Sequence, residues 1–454
     1  MKDKKVLVIG MGRSGKAAVF ALVEAGAIVA VQDNKTEDKL DKEFAAYLNE
    51  KGVIKYLGCV PDDMSQFDML VLSPGVPPQL DFVVAAKESG AEIIGELQLV
   101  YRLGNGHYVA ITGTNGKTTT TTLVGEIYKA SGRDTHVVGN IGVAVISKAI
   151  EAKESSWLVT ETSSFQLETI KEFKPVVSAI LNLTPDHMDR HKTMENYGRA
   201  KAAVFMNQTE DEYCILNYDD KACFELAERE GCKATVVPFS RLEQLEFGAF
   251  VRDGKIVIRK QDGEIVEICG AEELKIPGSH NLENALAAAA VSYFGGIDPQ
   301  TIAEVLRTFA GVEHRIEACG EVNGVRFVND SKGTNPDAAI KAIEAMKENI
   351  LLIAGGYDKG STYDEFIGAF GNSVKKLILL GKTAPKIKEA AEKAGFTDII
   401  MAEDMQDCVE KAFAAAVPGD VVLLSPACAS WDMYDNFEQR GEHFKSCVQA
   451  LAKK

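Results

Sequence analysis

The sequence predicts an α/β protein of three domains built on mainly parallel sheets, and three observations predict it. Short apolar runs alternate with helical patterns, the sequence form of βαβ units. These runs fall into three groups. The first is Val6–Ile9, Ile28–Val31 and Met69–Leu72; the second is Val109–Thr112, Trp157–Thr160 and Val176–Leu183. The third is Val325–Val328, Ile350–Ile353, Leu377–Leu380, Ile399–Met401 and Val421–Leu424. The pattern breaks after Ile94-Gly95-Glu96, near the Gly104-Asn105-Gly106 turn, and again near Gly311-Val312-Glu313. Domains are therefore expected at 1–96, 97–311 and 312–454. In the middle group, Phe250 to Val257 alternates around Asp253-Gly254. That is the mark of a two-residue hairpin, so an antiparallel appendage is expected there.

Composition narrows the function classes. Hydrophobic residues are 46% and charged residues 26% of the 454, the balance of a soluble globular chain rather than a disordered one. Lys and Arg total 50 against 66 Asp and Glu, a formal charge of −16. Such a chain is a poor nucleic-acid scaffold and a poor partner for an anionic membrane, so any phosphate must meet locally placed donors. The nine cysteines are scattered without a CxxC pair, which fits a reducing cytoplasm better than a disulfide framework or a zinc knuckle. The apolar run in MKDKKVLVIG is too short for a signal peptide, and the stretch near Ala285 to Ala290 is far below the roughly 20 residues of a membrane span. A cytoplasmic protein is expected.

The first motif is Gly10-Met11-Gly12-Arg13-Ser14-Gly15, placed between a strand and a helix, with Asp33 closing the next strand. Glycines so placed admit a pyrophosphate to a helix N-terminus, and the acid can hold a ribose. From the residues alone NAD, another nucleotide and simple tight packing all stay open. The second motif is more specific. The strand Tyr108 to Thr112 runs into Gly113-Thr114-Asn115-Gly116-Lys117-Thr118-Thr119, a nest of amide N–H groups followed by a cation and a hydroxyl suited to Mg²⁺. It departs from GxxxxGK[ST], because Ile111 stands where the first glycine would be. Magnesium ligands are then expected past neighbouring strands. Glu161 ends Trp157-Leu158-Val159-Thr160, and His187 follows Leu181-Asn182-Leu183-Thr184-Pro185-Asp186.

In the last third, Asn329-Asp330-Ser331-Lys332-Gly333-Thr334-Asn335-Pro336 follows a strand and is polar and compact enough to hold a ligand, although a helix cap would use similar residues. Arg315 is suited to bridging phosphates. Ser425-Pro426-Ala427-Cys428-Ala429-Ser430 follows the last strand, and Cys428 has no evident base, so a catalytic thiol is not expected.

The order GTNGKTT, ETSSFQLE, HMDRH, GSHNLENAL, EHR, NDSKGTNPDA and SPACASWDMYDNFEQRG resembles the Mur ligases over nearly the whole chain. The resemblance implies a Rossmann-like N-terminal domain for a UDP-linked substrate, a central P-loop-type ATPase domain and a Rossmann-like C-terminal domain for an amino acid. It turns the first glycine motif toward a uridine nucleotide rather than NAD. It implies a monomeric enzyme that uses ATP and two Mg²⁺ ions to add D-glutamate to UDP-N-acetylmuramoyl-L-alanine through an acyl phosphate. A sister activity, adding L-alanine, a diamino acid or a dipeptide, is the alternative within the family, and the N-terminal GxGxxG with the SPACASWDMYDNFEQRG tail favours D-glutamate.

Residue by residue, the resemblance assigns Gly113, Thr114, Asn115, Gly116, Lys117, Thr118 and Thr119 to the ATP phosphates. Thr118 and Glu161 would bind one magnesium ion, His187 the second, and Lys201, if carbamylated, would act as a further anionic ligand. Asn281 and Asn284 would contact ATP, joined by Arg315 and Asp330. Asn140, in Gly139-Asn140-Ile141-Gly142, and His187 would face the UDP substrate, with Ser14, Asp33, Ser73, Pro74 and Gly75 at the uridine. Lys332, Thr334, Lys359, Ser430 and Phe437 would hold D-glutamate.

Overall fold

The computed structural model describes residues 1–140, 144–276, 278–346 and 349–452. Ile141 and Gly142, which follow Asn140 in Gly139-Asn140-Ile141-Gly142, lie outside them. The chain gathers into two compact units. One comprises Met1–Leu183, Glu195–Gly270 and Ala285–Leu306; the other comprises Thr184–Met194, Ala271–Asn284 and Arg307–Lys454.

The first unit holds two sheets. Five parallel strands, β1 (Lys5–Ile9), β2 (Ile28–Asp33), β3 (Ile54–Leu57), β4 (Met69–Leu72) and β5 (Glu92–Gly95), lie in the order β3-β2-β1-β4-β5. The central strands β1 and β4 are buried almost throughout, and so read as continuous apolar runs. The order reverses between β1 and β4, where doubly wound sheets open a crevice at their carboxyl ends. Gly15 is required just there. A Cβ on it would stand 1.8 Å from the carbonyl oxygen of Gly10, so only glycine lets the helix Arg13–Glu24 approach β1.

The second sheet has nine strands: β6 (His107–Thr112), β7 (Thr135–Gly139), β8 (Trp157–Glu161), β9 (Val177–Ile180), β10 (Tyr213–Asn217), β11 (Thr235–Ser240), β12 (Gly248–Arg252), β13 (Lys255–Arg259) and β14 (Ile265–Gly270). Their order is β14-β13-β12-β11-β10-β9-β6-β8-β7. Pairing is parallel from β7 to β12 and antiparallel at β12/β13 and β13/β14, so the expected appendage is present. Its turn is Asp253-Gly254, with φ of 52° and 75°, as a tight hairpin demands.

The second unit is built on β15 (Glu317–Val322), β16 (Val325–Asn329), β17 (Ile350–Ala354), β18 (Val374–Leu379), β19 (Ile399–Met401) and β20 (Val421–Leu424), in the order β15-β16-β20-β17-β18-β19. Only β15 runs antiparallel to its neighbour. Both faces are apolar: Leu352, Leu377 and Leu423 pack on one side, Phe327, Ile353 and Ile378 on the other. Seven strands are not among the runs expected from the sequence, β3, β5, β7, β10, β11, β14 and β15, although interior β10 carries the buried apolar run Cys214-Ile215-Leu216. Five of these are sheet edges, half wet and thus free to be polar.

Candidate active site

In the first unit the loop after β6 is shaped by glycines. Gly113 has φ of 148°, and a Cβ on it would stand 3.0 Å from the Leu181 Cβ; Gly116, with φ of 82°, caps the helix Lys117–Ala130. The turn thus directs backbone N–H groups and a helix N-terminus to one place, as an anion site requires. Asn182, just past β9, clamps it. Its Oδ1 accepts from the Asn115 N–H at 2.8 Å, its Nδ2 donates to the Asn115 carbonyl at 3.1 Å, and its own carbonyl accepts from the Thr114 N–H at 3.1 Å. Lys117 folds back over the loop, its Nζ donating to the carbonyls of Gly113 at 2.9 Å and Thr114 at 2.8 Å. Thr118 and Thr119 are buried in the first helical turn, and the Thr119 hydroxyl has no hydrogen-bond partner among the described residues.

Glu161 ends β8, the strand beside β6, and is 1% exposed. Its Oε1 accepts from Asn140 Nδ2 at 3.1 Å, while its Oε2 is buried without any partner among the described residues. A buried carboxylate oxygen left bare is costly unless a cation completes it, so the donor set fits a hard divalent ion. Lys201 is equally buried; its Nζ donates to the same Gly113 carbonyl at 2.7 Å and lies 4.5 Å from the centre of the Tyr197 ring. The loop, Glu161, Asn140 and Lys201 are therefore brought together.

At the first sheet, the residues expected around a uridine sit past the carboxyl ends of β1, β2 and β4. Ser73 Oγ donates to the Gly10 carbonyl at 2.7 Å, and Asp33 accepts from the N–H groups of Met11 at 2.6 Å and Lys35 at 2.8 Å. Asp33 thus ties down the glycine loop itself. Pro74 and Gly75 continue the turn after Ser73. Ser14 is hydrogen-bonded to Glu96, a carboxylate whose pKa burial pushes up and which also accepts from the Ile146 N–H.

In the second unit Asp330 follows β16, wholly enclosed. Its Oδ2 accepts from Ser425 Oγ at 2.7 Å and its Oδ1 from the Ile316 N–H at 3.3 Å. Burial outweighs these contacts and the nearby Arg315, and lifts its pKa to about 6. Arg315 stands between two residues in the left-handed region, His314 (φ 62°) and Ile316 (φ 46°). For β-branched Ile316 that is a genuine strain, held by the bond to Asp330. Asn281 and Asn284 lie one helical turn apart, joined at 3.1 Å, and next to them His280 is pulled down to about 3, chiefly by burial and then by Arg315 and Lys341.

His187, with φ of 54°, follows Asp186, whose carboxylate gathers His187 N–H at 2.9 Å, Lys359 Nζ at 3.1 Å and Asn335 Nδ2 at 3.3 Å. Lys359 is thus engaged with a carboxylate rather than standing apart. Lys332 Nζ lies 4.6 Å from the Phe437 ring centre, so these two members of the expected amino-acid pocket meet. Thr334 closes the same turn through its N–H to the Lys332 carbonyl, and Ser430 is buried at the start of the turn that continues to Tyr434. Cys428 lies between Tyr363 Oη and Thr383 Oγ1, 3.1 Å from each, and burial raises its thiol pKa, so it is no nucleophile. Sequence reasoning passed over Asn182, Asp186 and Arg440. The first two were visible only as polar residues in the loop that follows β9.

Three family models match in chain order: the Mur ligase MurD-like N-terminal domain at residues 4–95, the Mur ligase middle domain at 111–292, and the Mur ligase glutamate ligase domain at 314–428. Among relatives, the chain is 53% identical to the UDP-N-acetylmuramoylalanine–D-glutamate ligase of Alkaliphilus oremlandii, covering 99% of both chains. It is 48% identical to the protein of the same name from Clostridioides difficile, again over 99% of both. Among solved structures, UDP-N-acetylmuramate-alanine ligase MurC of Thermotoga maritima superposes with a TM-score of 0.61 at 20% identity, covering 98% of this chain and 99% of that one. A pseudomurein peptide ligase type C of Methanothermus fervidus gives 0.61 at 18% identity, covering 99% and 100%. These two likenesses speak for the fold. Among the described residues, no helix is long and apolar enough to cross a membrane.

Proposed function

The chain belongs to the Mur ligase family, and from that premise we infer that it is the ATP-dependent ligase joining D-glutamate to UDP-N-acetylmuramoyl-L-alanine, a step of peptidoglycan precursor synthesis. A carboxylate is a poor electrophile and must be activated. The L-alanyl carboxylate attacks the γ-phosphorus of ATP, ADP leaves, and the resulting acyl phosphate is captured by the amine of D-glutamate with loss of inorganic phosphate. We place the domain divisions at 96/97 and 311/312, and the enzyme as a cytoplasmic monomer.

The reading rests most on one observation, the bare buried Oε2 of Glu161 on the strand beside the glycine loop. Phosphoryl transfer is mostly positioning and charge neutralisation. In this proposal the N–H groups from Gly113 to Thr119 cradle the phosphates, and Lys117 exchanges its loop carbonyls for phosphate oxygens. Asn281 and Asn284 orient the nucleotide, with Arg315 and Asp330 completing its site. Thr118, Glu161, His187 and Lys201 as a carbamate would hold two magnesium ions, which when bound neutralise the phosphates so that an anionic carboxylate can approach. Lys201 is deeply buried with its Nζ at the Gly113 carbonyl, which puts the side chain beside the glycine loop. Asn140 and His187 face the sugar-linked substrate, and Ser14, Asp33, Ser73, Pro74 and Gly75 its uridine. D-Glutamate brings two carboxylates, which suits Lys332 and Lys359, with Thr334 and Ser430 as hydroxyl donors and Phe437 as an apolar wall.

The test is phosphate release from ATP with UDP-N-acetylmuramoyl-L-alanine and a panel of amino acids. D-Glutamate alone should support turnover; release with another amino acid instead would overturn the specificity.

A further inference from the structure

Arg440 is a buried cation held by carbonyl and hydroxyl oxygens, with Asp330 and Asp432 near enough to favour its charge but, among the described residues, no carboxylate in a direct ion pair with it. It sits in the first turn and a half of the helix Phe437–Leu451 and is 2% exposed. Its Nε donates to Ser331 Oγ at 3.0 Å, its Nη2 to the Ser331 carbonyl at 2.8 Å, and its Nη1 to the carbonyls of Cys428 at 3.1 Å and Ala429 at 3.3 Å. A buried cation that relies on carbonyls and on acids beyond ion-pair distance is expensive to keep. Burial pulls its pKa down only to about 10, so it stays charged at neutral pH.

What it holds explains why it is kept. Ser331 precedes Lys332, Ala429 precedes Ser430, and Ser331 Oγ donates in turn to the carbonyl of Phe437 at 2.7 Å. One planar guanidinium therefore ties together the loop after β16, the loop after β20 and the start of the last helix. The second loop needs holding, because Ala427 has φ of 58°, a conformation a residue with a side chain adopts reluctantly. Gly441, the next residue, lets the helix close in: a Cβ there would lie 2.3 Å from the His314 ring.

We propose that Arg440 is the positioning residue of the amino-acid pocket, setting the mutual geometry of Lys332, Ser430 and Phe437 without touching substrate itself. The inference rests on the reading above that these residues hold D-glutamate. An ammonium cannot make the four divergent contacts, so Arg440→Lys keeps the charge and loses the brace.

The experiment is steady-state phosphate release by the full-length enzyme, varying each substrate in turn. Arg440→Lys should raise the KM for D-glutamate about tenfold or more, while the KM values for ATP and UDP-N-acetylmuramoyl-L-alanine move less than about twofold. Phe444→Leu, a core change one turn further along the same helix, should lower thermal stability and leave the D-glutamate KM alone. If Arg440→Lys does not fold, Ser331→Ala decides, with a D-glutamate-selective rise of about threefold expected. Parallel rises in all three KM values, or an unmoved D-glutamate KM in an enzyme that requires D-glutamate, would overturn the proposal. A wild-type enzyme indifferent to D-glutamate would instead overturn the reading beneath it.

Discussion

The proposed phosphate loop and the proposed amino-acid pocket are built by opposite means. Between Gly113 and Thr119 the expected donors are main-chain N–H groups on seven consecutive residues, shaped by two glycines and clamped by Asn182. The pocket residues are side chains carried on separate segments of the second unit, two of whose loops are laced to the last helix by Arg440. A site made of contiguous backbone depends on local conformation, so damage to it is local. One assembled from distant segments depends on its braces, and a single lost brace displaces several contacts together.

The largest expected effect breaks the loop at its cation. Lys117→Ala should lower kcat about 10²- to 10³-fold, the usual loss for one charge-stabilising contact in a closed site, as read by single-turnover phosphate formation. A near-normal rate would remove Lys117 from phosphate binding. Glu161→Gln keeps the shape but not the anion. The magnesium concentration for half-maximal activity should rise about 10- to 100-fold, and an unchanged magnesium titration would discard Glu161 as a ligand.

Asn182→Ala sharpens the contrast with Arg440. It unclamps the loop and should raise the KM for ATP about tenfold with D-glutamate unaffected; were D-glutamate binding to weaken equally, the separation of the two devices would be false. The smallest effect is on stability. The Asp330 carboxyl titrates near 6 when folded against 3.8 when free, so the folded state holds its proton more tightly. Its contribution is full below about pH 4 and is lost as pH rises through about 6. Asp330→Asn should therefore gain stability relative to wild type by roughly 2 kcal/mol between pH 4.5 and 7.5, measured by urea unfolding. A difference that does not change with pH would show that burial does not govern this carboxyl.

This contrast also governs what the sequence could reveal. Central strands such as β4 and β20 are legible because burial on both faces demands uninterrupted apolar residues. Edge strands such as β3 and β15 escape notice because they meet water. The phosphate loop is legible because its requirements, two glycines and a lysine, fall within five positions. Asn182 is 67 residues from the Asn115 it clamps, and Arg440 is 109 from Ser331. Nothing in either local sequence says what the side chain will reach. Motif likeness placed Lys332 and Phe437 in one pocket and they do meet, but it gave no hint that Lys359 is engaged by Asp186.

The exposed Asp253-Gly254 turn offers a practical vantage point. It leaves β12 at the same carboxyl edge from which the phosphate loop leaves β6, four strands away, or roughly 19 Å at the usual strand spacing. A fluorescent donor grafted onto that turn and an acceptor dye on the nucleotide would sit well within energy-transfer range. Nucleotide occupancy could then be followed optically, one ligand at a time, with no catalysis required.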